Sequence, residues 1–119
     1  MSELPKDDKP WIDRLGECTG NHHESMVAVA EGLVMELPDV SQRLRVAIAG
    51  GTPKEIERYG HTLKSCLKYV SSGDEVALAE EIERCGRESR VSDAVALYDQ
   101  LQPTVQAWQD RVQQWLDRQ

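Results

Sequence analysis

Apolar residues recur along this chain at spacings of three and four with no sustained alternation, so the pattern predicts an all-α protein. Trp11, Leu15 and Cys18 outline a short amphipathic helix that ends near Gly20. Asn21-His22-His23-Glu24 has the form of a capping box and opens a helix carrying Met26, Val27, Ala30, Val34 and Leu37, which Pro38 is expected to stop. A further helix over 39–49, with Val40, Leu44, Ala47 and Ile48 apolar, closes at Gly50-Gly51. Thr52-Pro53-Lys54-Glu55 is the strongest start signal: an N-cap hydroxyl, proline at the first helical position and a glutamate at the third. The helix it opens runs to about Val70. Ser72-Gly73-Asp74-Glu75 repeats the capping pattern before a helix that turns Leu78, Ala79, Ile82, Cys85 and Gly86 inward. Ser92 is the expected cap of the last helix. There Ala94, Tyr98, Leu101, Val105, Trp108, Val112 and Trp115 form a bundle seam, with Pro103 expected to kink or break it.

The short connections at 50–52, 71–73 and 89–92 favour antiparallel neighbours. The expected architecture is an antiparallel up-down four-helix bundle with one or two additional N-terminal helices. Residues 1–10, rich in proline and charge, read as a disordered leader, and 11–119 as a single domain.

Composition narrows the function. The 119 residues carry a net charge of −7, which argues against nucleic acid and against an anionic membrane surface. No apolar run approaches the roughly 20 residues of a membrane span, and the first nine residues are too polar and acidic for a signal peptide. Cys18, Cys66 and Cys85 have no CxxC spacing and are odd in number, the pattern of reduced, partly buried thiols in a cytoplasmic protein; a monomer is expected. No P-loop, Ser-His-Asp order or paired-carboxylate pattern is present.

The helix after Thr52 holds the candidate chemistry. At 100° per residue, Ile56, Tyr59, Leu63, Cys66, Leu67 and Val70 fall more than about 100° from His61. Lys54, Arg58, Lys64, Ser65 and Lys68 lie within about 60° of it, with Glu57 the one acid on the stripe. An exposed imidazole among cations suits a phosphoryl acceptor, which needs a free ring nitrogen, nearby positive charge and a partner for the other nitrogen. Lys64, one turn on, is placed to neutralise phosphoryl oxygens. Ser65 is small enough for a partner's active site to approach. A carboxylate among the acids of 74–88 would fix the tautomer and leave Nε2 as nucleophile.

Other residues carry less. His22 and His23 point about 100° apart on a helix and lack further ligand spacing, so no metal site is expected. Trp108 and Trp115, at seam spacing, read as core. Arg84, Arg87 and Arg90 either extend a docking surface or form a solvated helix end.

His61-Thr62-Leu63-Lys64 resembles the H-x-x-K-G core of histidine-containing phosphotransfer (HPt) domains, and Ala79-Glu80-Glu81-Ile82-Glu83 is similar to the family's L-A-x-x-L-E. The resemblance spans roughly 24–116. It departs at Ser65, where the family has glycine, and at the bulky Leu67 and Tyr69. It implies a four-helix bundle that relays phosphoryl groups and is not an enzyme in the turnover sense. It implies His61 as acceptor, Lys64 as charge neutraliser and Glu83, 22 residues after His61, as the residue that orients the ring. The glutamate is similar to the choice in the corresponding domain of chemotaxis kinases. If the loop centred on 72 reverses the chain tightly, His61 and Glu83 lie level, 11 residues to either side. The implied partner is the receiver domain of a response regulator or hybrid histidine kinase, docking on Arg58, Ser65 and Lys68. The receiver would bring its own Mg²⁺, and the chain would need no cofactor. A non-catalytic module that docks a partner without phosphotransfer is the alternative, and an unrelated helical adaptor a weaker third.

Overall fold

The computed structural model describes residues 4–119. These residues form five helices and no strand: α1 (Lys9–Cys18), α2 (His23–Ala49), α3 (Pro53–Leu67), α4 (Asp74–Arg87) and α5 (Val91–Asp117). Helices α2 to α5 pack as a ring in which each touches its neighbours in sequence, and α5 closes back on α2. Contacts between α3 and α4 fall in descending register, Gly86 against Glu57, Gly60 against Glu83 and Lys64 against Glu80, so the two run antiparallel; Ser41 of α2 meets Tyr98 of α5 at 3.0 Å. The two 27-residue helices, α2 and α5, set the 41 Å long dimension, as a rise of about 1.5 Å per residue requires. One additional helix, α1, precedes the bundle.

Pro38 and Pro103 do not end helices; each lies inside one. Proline removes one hydrogen bond and crowds the preceding turn at a penalty of about 3 kcal/mol. Both prolines face solvent, and the inward positions beside them are buried: Leu37, Val40 and Leu44 on α2, Leu101, Thr104 and Val105 on α5. Burying several such side chains, each contributing about 1.5–3 kcal/mol, outweighs the local penalty. The two helices expected on either side of Pro38 are therefore one, and it belongs to the four-helix ring.

The expected caps are also modified. Thr52 stands at the N-cap of α3 with Pro53 behind it, but its hydroxyl makes no cap hydrogen bond. The N-cap of α2 is His22, not Asn21, that of α4 is Gly73 and that of α5 is Arg90, none with a side-chain cap bond. Ser92 lies inside the first turn of α5. At α4, Ser71 replaces the expected cap: its hydroxyl accepts from the Gly73 N–H (3.0 Å) and donates to Glu75 (2.8 Å). Glu75 is buried and its second oxygen accepts the indole N–H of Trp108 (2.8 Å), which ties the α3–α4 turn to α5.

Of residues 4–10, expected within a disordered leader, Leu4 and Asp8 are half-buried and the others are exposed; residues 1–3 lie outside the described residues. Leu4 packs on the core and α1 already begins at Lys9. Asp8 accepts the Trp11 indole N–H (2.9 Å) and pairs with Arg111 (3.2 Å) and Arg118 (3.3 Å). The Trp11 hydrogen bond, against the opposing effect of burial and with help from both arginines, holds the Asp8 carboxyl below its ordinary value. Trp11 and Leu15 close one end of the bundle, Trp11 meeting Trp108 and Trp115 edge to face at 6.1 and 6.0 Å. Both seam tryptophans are thus core.

Candidate functional site

Proline at the first position, Glu55 in the first turn and Lys64 in the last all favour α3, the acid and the base complementing the helix dipole. Its inward stripe, Ile56, Leu63 and Leu67, is fully buried. That burial fixes the helix rotation and turns His61 outward, with 60% of its side chain exposed.

Glycine sets the distance to α4. A Cβ on Gly60 would stand 2.9 Å from the Glu83 nitrogen and 3.0 Å from its Cα. One turn away, a Cβ on Gly86 would overlap the backbone nitrogen of Glu57 and lie 2.7 Å from the Pro53 carbonyl oxygen. The two backbones are in contact at both points, which no residue with a side chain permits.

This approach brings Glu83 beside His61. Its Oε2 lies 3.0 Å from His61 Nδ1, and its Oε1 accepts a hydrogen bond from Lys64 Nζ at 2.7 Å. Lys64 also stands 3.9 Å from Glu80, and Arg87 Nη2 stands 3.5 Å from Glu83 Oε2. Burial pushes the Glu83 carboxyl toward the neutral form, but hydrogen bonds from Lys64 and His61 and their charge prevail and hold it below its ordinary value. Glu83 is therefore a carboxylate with only acceptor oxygens, so the proton between it and the ring resides on Nδ1. In the neutral ring Nε2 then carries the lone pair, on an exposed side chain. An imidazole held in one tautomer by a carboxylate and otherwise exposed is equipped to act as a nucleophile.

Lys64 is less free than its sequence position suggests, with 15% of its side chain exposed and one donor committed to Glu83. Ser65 is exposed, and its hydroxyl folds back on the His61 carbonyl at 3.1 Å, leaving the approach to the ring clear of it. Arg58 is exposed with its guanidinium 5.4 Å from the Tyr59 ring. Lys68 is exposed at the C-cap of α3, where its carbonyl accepts from Arg14 of α1 at 2.7 Å. Leu67 is wholly buried and does not crowd the histidine face, while Tyr69 is partly exposed. Of Arg84, Arg87 and Arg90, Arg87 alone reaches the site. Arg84 pairs with Glu81, and Arg90 with Glu81, Glu88 and Asp93.

Sequence reasoning did not single out Gly60 or the Arg87–Glu57 pair as parts of the site. Gly60 had a legible signal: a glycine inside a helix forfeits about 1 kcal/mol against alanine and implies close packing. Arg87 Nε donates to Glu57 at 3.1 Å across 30 residues, a pairing with no local signature.

The cysteines are unpaired. Burial, with Glu36 nearby, pushes the Cys66 thiol up to about 11, and burial also raises Cys85. Neither is an activated nucleophile. Among the described residues no cluster of three or more His, Cys, Asp or Glu side chains forms a metal-holding group, and no helix is long and apolar enough to cross a membrane.

Comparison with known proteins agrees with this geometry. The Hpt domain family matches residues 28–117. No curated protein matches the chain. Among solved structures, the fold matches the crystal structure of histidine-containing phosphotransfer protein B (HptB) from Pseudomonas aeruginosa PAO1, with a TM-score of 0.80 and 16% identity over 95% of each chain.

Proposed function

The chain belongs to the Hpt domain family, whose members carry phosphoryl groups, and from that premise we propose that it is a phosphorelay intermediate with His61 as the acceptor. The observation that carries this reading is the 3.0 Å contact between His61 Nδ1 and Glu83, which leaves Nε2 outward with its lone pair. The donor of this reading is the aspartyl phosphate of a receiver domain, or a kinase; a response regulator receives the group in the next step.

In the first transfer, Nε2 attacks phosphorus in line with the bond to the aspartyl oxygen. The N–P bond forms as the P–O bond breaks, and the electron pair leaves on the aspartate carboxylate. The ring keeps its Nδ1 proton and gains positive charge, which the Glu83 carboxylate opposes at the nitrogen where it contacts the ring. Lys64 offsets charge on the phosphoryl oxygens with the donors that Glu83 does not occupy. The receiver brings Mg²⁺ to this step. Arg58, Ser65 and Lys68 form the rim against which it docks. With the reading go a monomer and a cytoplasmic location, where receiver domains act.

Incubation with a panel of phosphorylated receivers, followed by mass spectrometry for acid-labile, base-stable phosphate, tests the proposal. The expected result is one phosphoryl group on His61, absent from His61→Gln. Docking to receivers with no transfer would instead favour the interaction module. Phosphate on the His61→Gln protein would assign the acceptor elsewhere.

A further inference from the structure

Glu83 has three partners from two helices, and they divide unequally between its oxygens. Lys64 alone occupies Oε1, at 2.7 Å. Oε2, the oxygen that accepts the hydrogen bond from Nδ1–H, faces both His61 at 3.0 Å and Arg87 at 3.5 Å. Arg87 is itself held. Its Nε donates to Glu57 at 3.1 Å, and Glu57 lies on α3 one turn before His61. The guanidinium thus spans the groove between α3 and α4, with one edge on Glu57 and a terminal nitrogen toward Glu83. The backbone contact at Gly86, beside Arg87, brings Glu57 within reach.

We propose that Arg87 is a positioning residue for the phosphoryl acceptor, acting through Glu83. The inference rests on the reading of His61 as the acceptor and names a residue that shapes its reactivity without touching the phosphoryl group. The Lys64 ammonium sits on a flexible stem and can follow Oε1 as the carboxylate turns about its terminal bond, so that partner by itself leaves the direction of Oε2 loose. A cation at Oε2 fixes that direction, so the carboxylate plane presents Oε2 to Nδ1. The planar fork of arginine suits this, because one edge can be anchored while another nitrogen reaches the second carboxylate. Anchoring matters here, since the Arg87 side chain is 57% exposed and an unanchored surface cation holds little. The Glu57–Arg87 pair, itself exposed, adds little to stability by the same reasoning, so its effect is to be sought in the ring of His61 and not in the melting temperature.

The experiment has two arms on the full chain, with circular dichroism confirming that each variant folds. In the first, long-range ¹H–¹⁵N spectra of the unphosphorylated protein, taken where the ring is neutral, report which nitrogen of His61 bears the proton. Wild type is expected to hold it on Nδ1, and Arg87→Gln to shift population toward the Nε2–H form. In a Glu83→Ala background, Arg87→Gln should change nothing more. In the second arm, Arg87→Gln is expected to slow phosphoryl acceptance about three- to tenfold, with no additional loss in the Glu83→Ala background. An unchanged tautomer in Arg87→Gln would overturn the proposal. So would rate effects that multiply in the double variant, because Arg87 would then act directly on the partner. If wild type accepts no phosphate, the function proposed above fails, and the tautomer arm alone decides the role of Arg87.

Discussion

Gly60 and Glu83 meet backbone to backbone, close enough that a Cβ at position 60 would stand 2.9 Å from the Glu83 nitrogen. Because Glu83 touches His61, the missing side chain at 60 sets the distance between the histidine and its carboxylate. A packing feature thereby becomes a chemical one.

Gly60→Ala is expected to lower stability by up to about 2 kcal/mol. Alanine gains about 1 kcal/mol in helix propensity, but overpacking against unyielding backbone costs about 1–3 kcal/mol, and some of the loss of contact falls on the site itself. Gly32→Ala is the contrast: nothing lies within 4 Å of that Cβ, so the propensity gain should appear as about 0.5–1 kcal/mol of stabilisation. Urea melts of both variants check the pair. A Gly60→Ala protein as stable as Gly32→Ala would contradict the close approach of α3 and α4.

The Glu83 carboxyl, held below its ordinary value by Lys64 and His61 despite burial, makes stability depend on pH. A carboxyl whose folded value lies below its unfolded one binds protons less readily in the folded state. Its contribution is therefore present above the unfolded value, here 4.5, and is lost as pH falls through the lower folded value. Between pH 6 and pH 3 wild type should lose more stability than Glu83→Gln, which lacks the titrating group. Asp8, lowered as well, titrates in both proteins and cancels from the difference. Parallel acid denaturation curves for the two proteins would show that Glu83 is not held in this way.

The site was legible where it depends on periodicity and distance from a turn. The apolar stripe of Ile56, Leu63 and Leu67 fixes the outward direction of His61, whereas Lys64, on the same side, is folded onto Glu83. The reversal about residue 72 sets Glu83 level with His61; register made that pairing possible, but the choice of Glu83 among the acids of 74–88 came from the family resemblance. What was not legible depends on energies summed over many contacts. Pro38 read as a stop and Pro103 as a kink or break because their penalty is local, whereas the burial that carries both helices through comes from neighbouring helices. Trp108 read as core, yet its indole nitrogen meets Glu75 across 33 residues. Thr52 took its predicted N-cap position without the predicted hydrogen bond, so the backbone preference of Thr-Pro was read correctly and its side-chain chemistry was not.

Pro38 offers a direct test of that balance. Pro38→Ala restores a backbone donor at an exposed position inside α2 and relieves crowding against the preceding turn. Part of the roughly 3 kcal/mol helix penalty is recovered, less about 0.4–1 kcal/mol because alanine frees the unfolded chain. The expected outcome is a stabilisation of about 1–2 kcal/mol, read as a higher urea midpoint at unchanged slope. A destabilised Pro38→Ala would mean that the proline shapes a bend on which the α2–α5 packing relies.

Lys64 carries two assignments that one variant cannot separate. It donates to Glu83 at 2.7 Å, and it is the cation proposed to face the phosphoryl group. Lys64→Met keeps the apolar stem and removes the charge. Glu83 would then lose its nearest cation while remaining buried, a destabilisation of about 1–2 kcal/mol for a charge-assisted hydrogen bond. Phosphoryl acceptance should fall about tenfold, equivalent to about 1.4 kcal/mol in the barrier. The Glu83→Gln background distinguishes the roles. There the stability penalty of Lys64→Met should shrink, because no carboxylate is left without its partner, while the loss in rate should persist if the ammonium acts on phosphate. Glu80→Gln should leave both quantities nearly unchanged, since that carboxylate is exposed and 3.9 Å from the ammonium. Single-turnover transfer from a phosphorylated receiver, measured on these variants beside their urea melts, gives both quantities. Should the rate loss vanish together with the Glu83 charge, Lys64 would act only by holding Glu83, and the phosphoryl oxygens would need another source of positive charge.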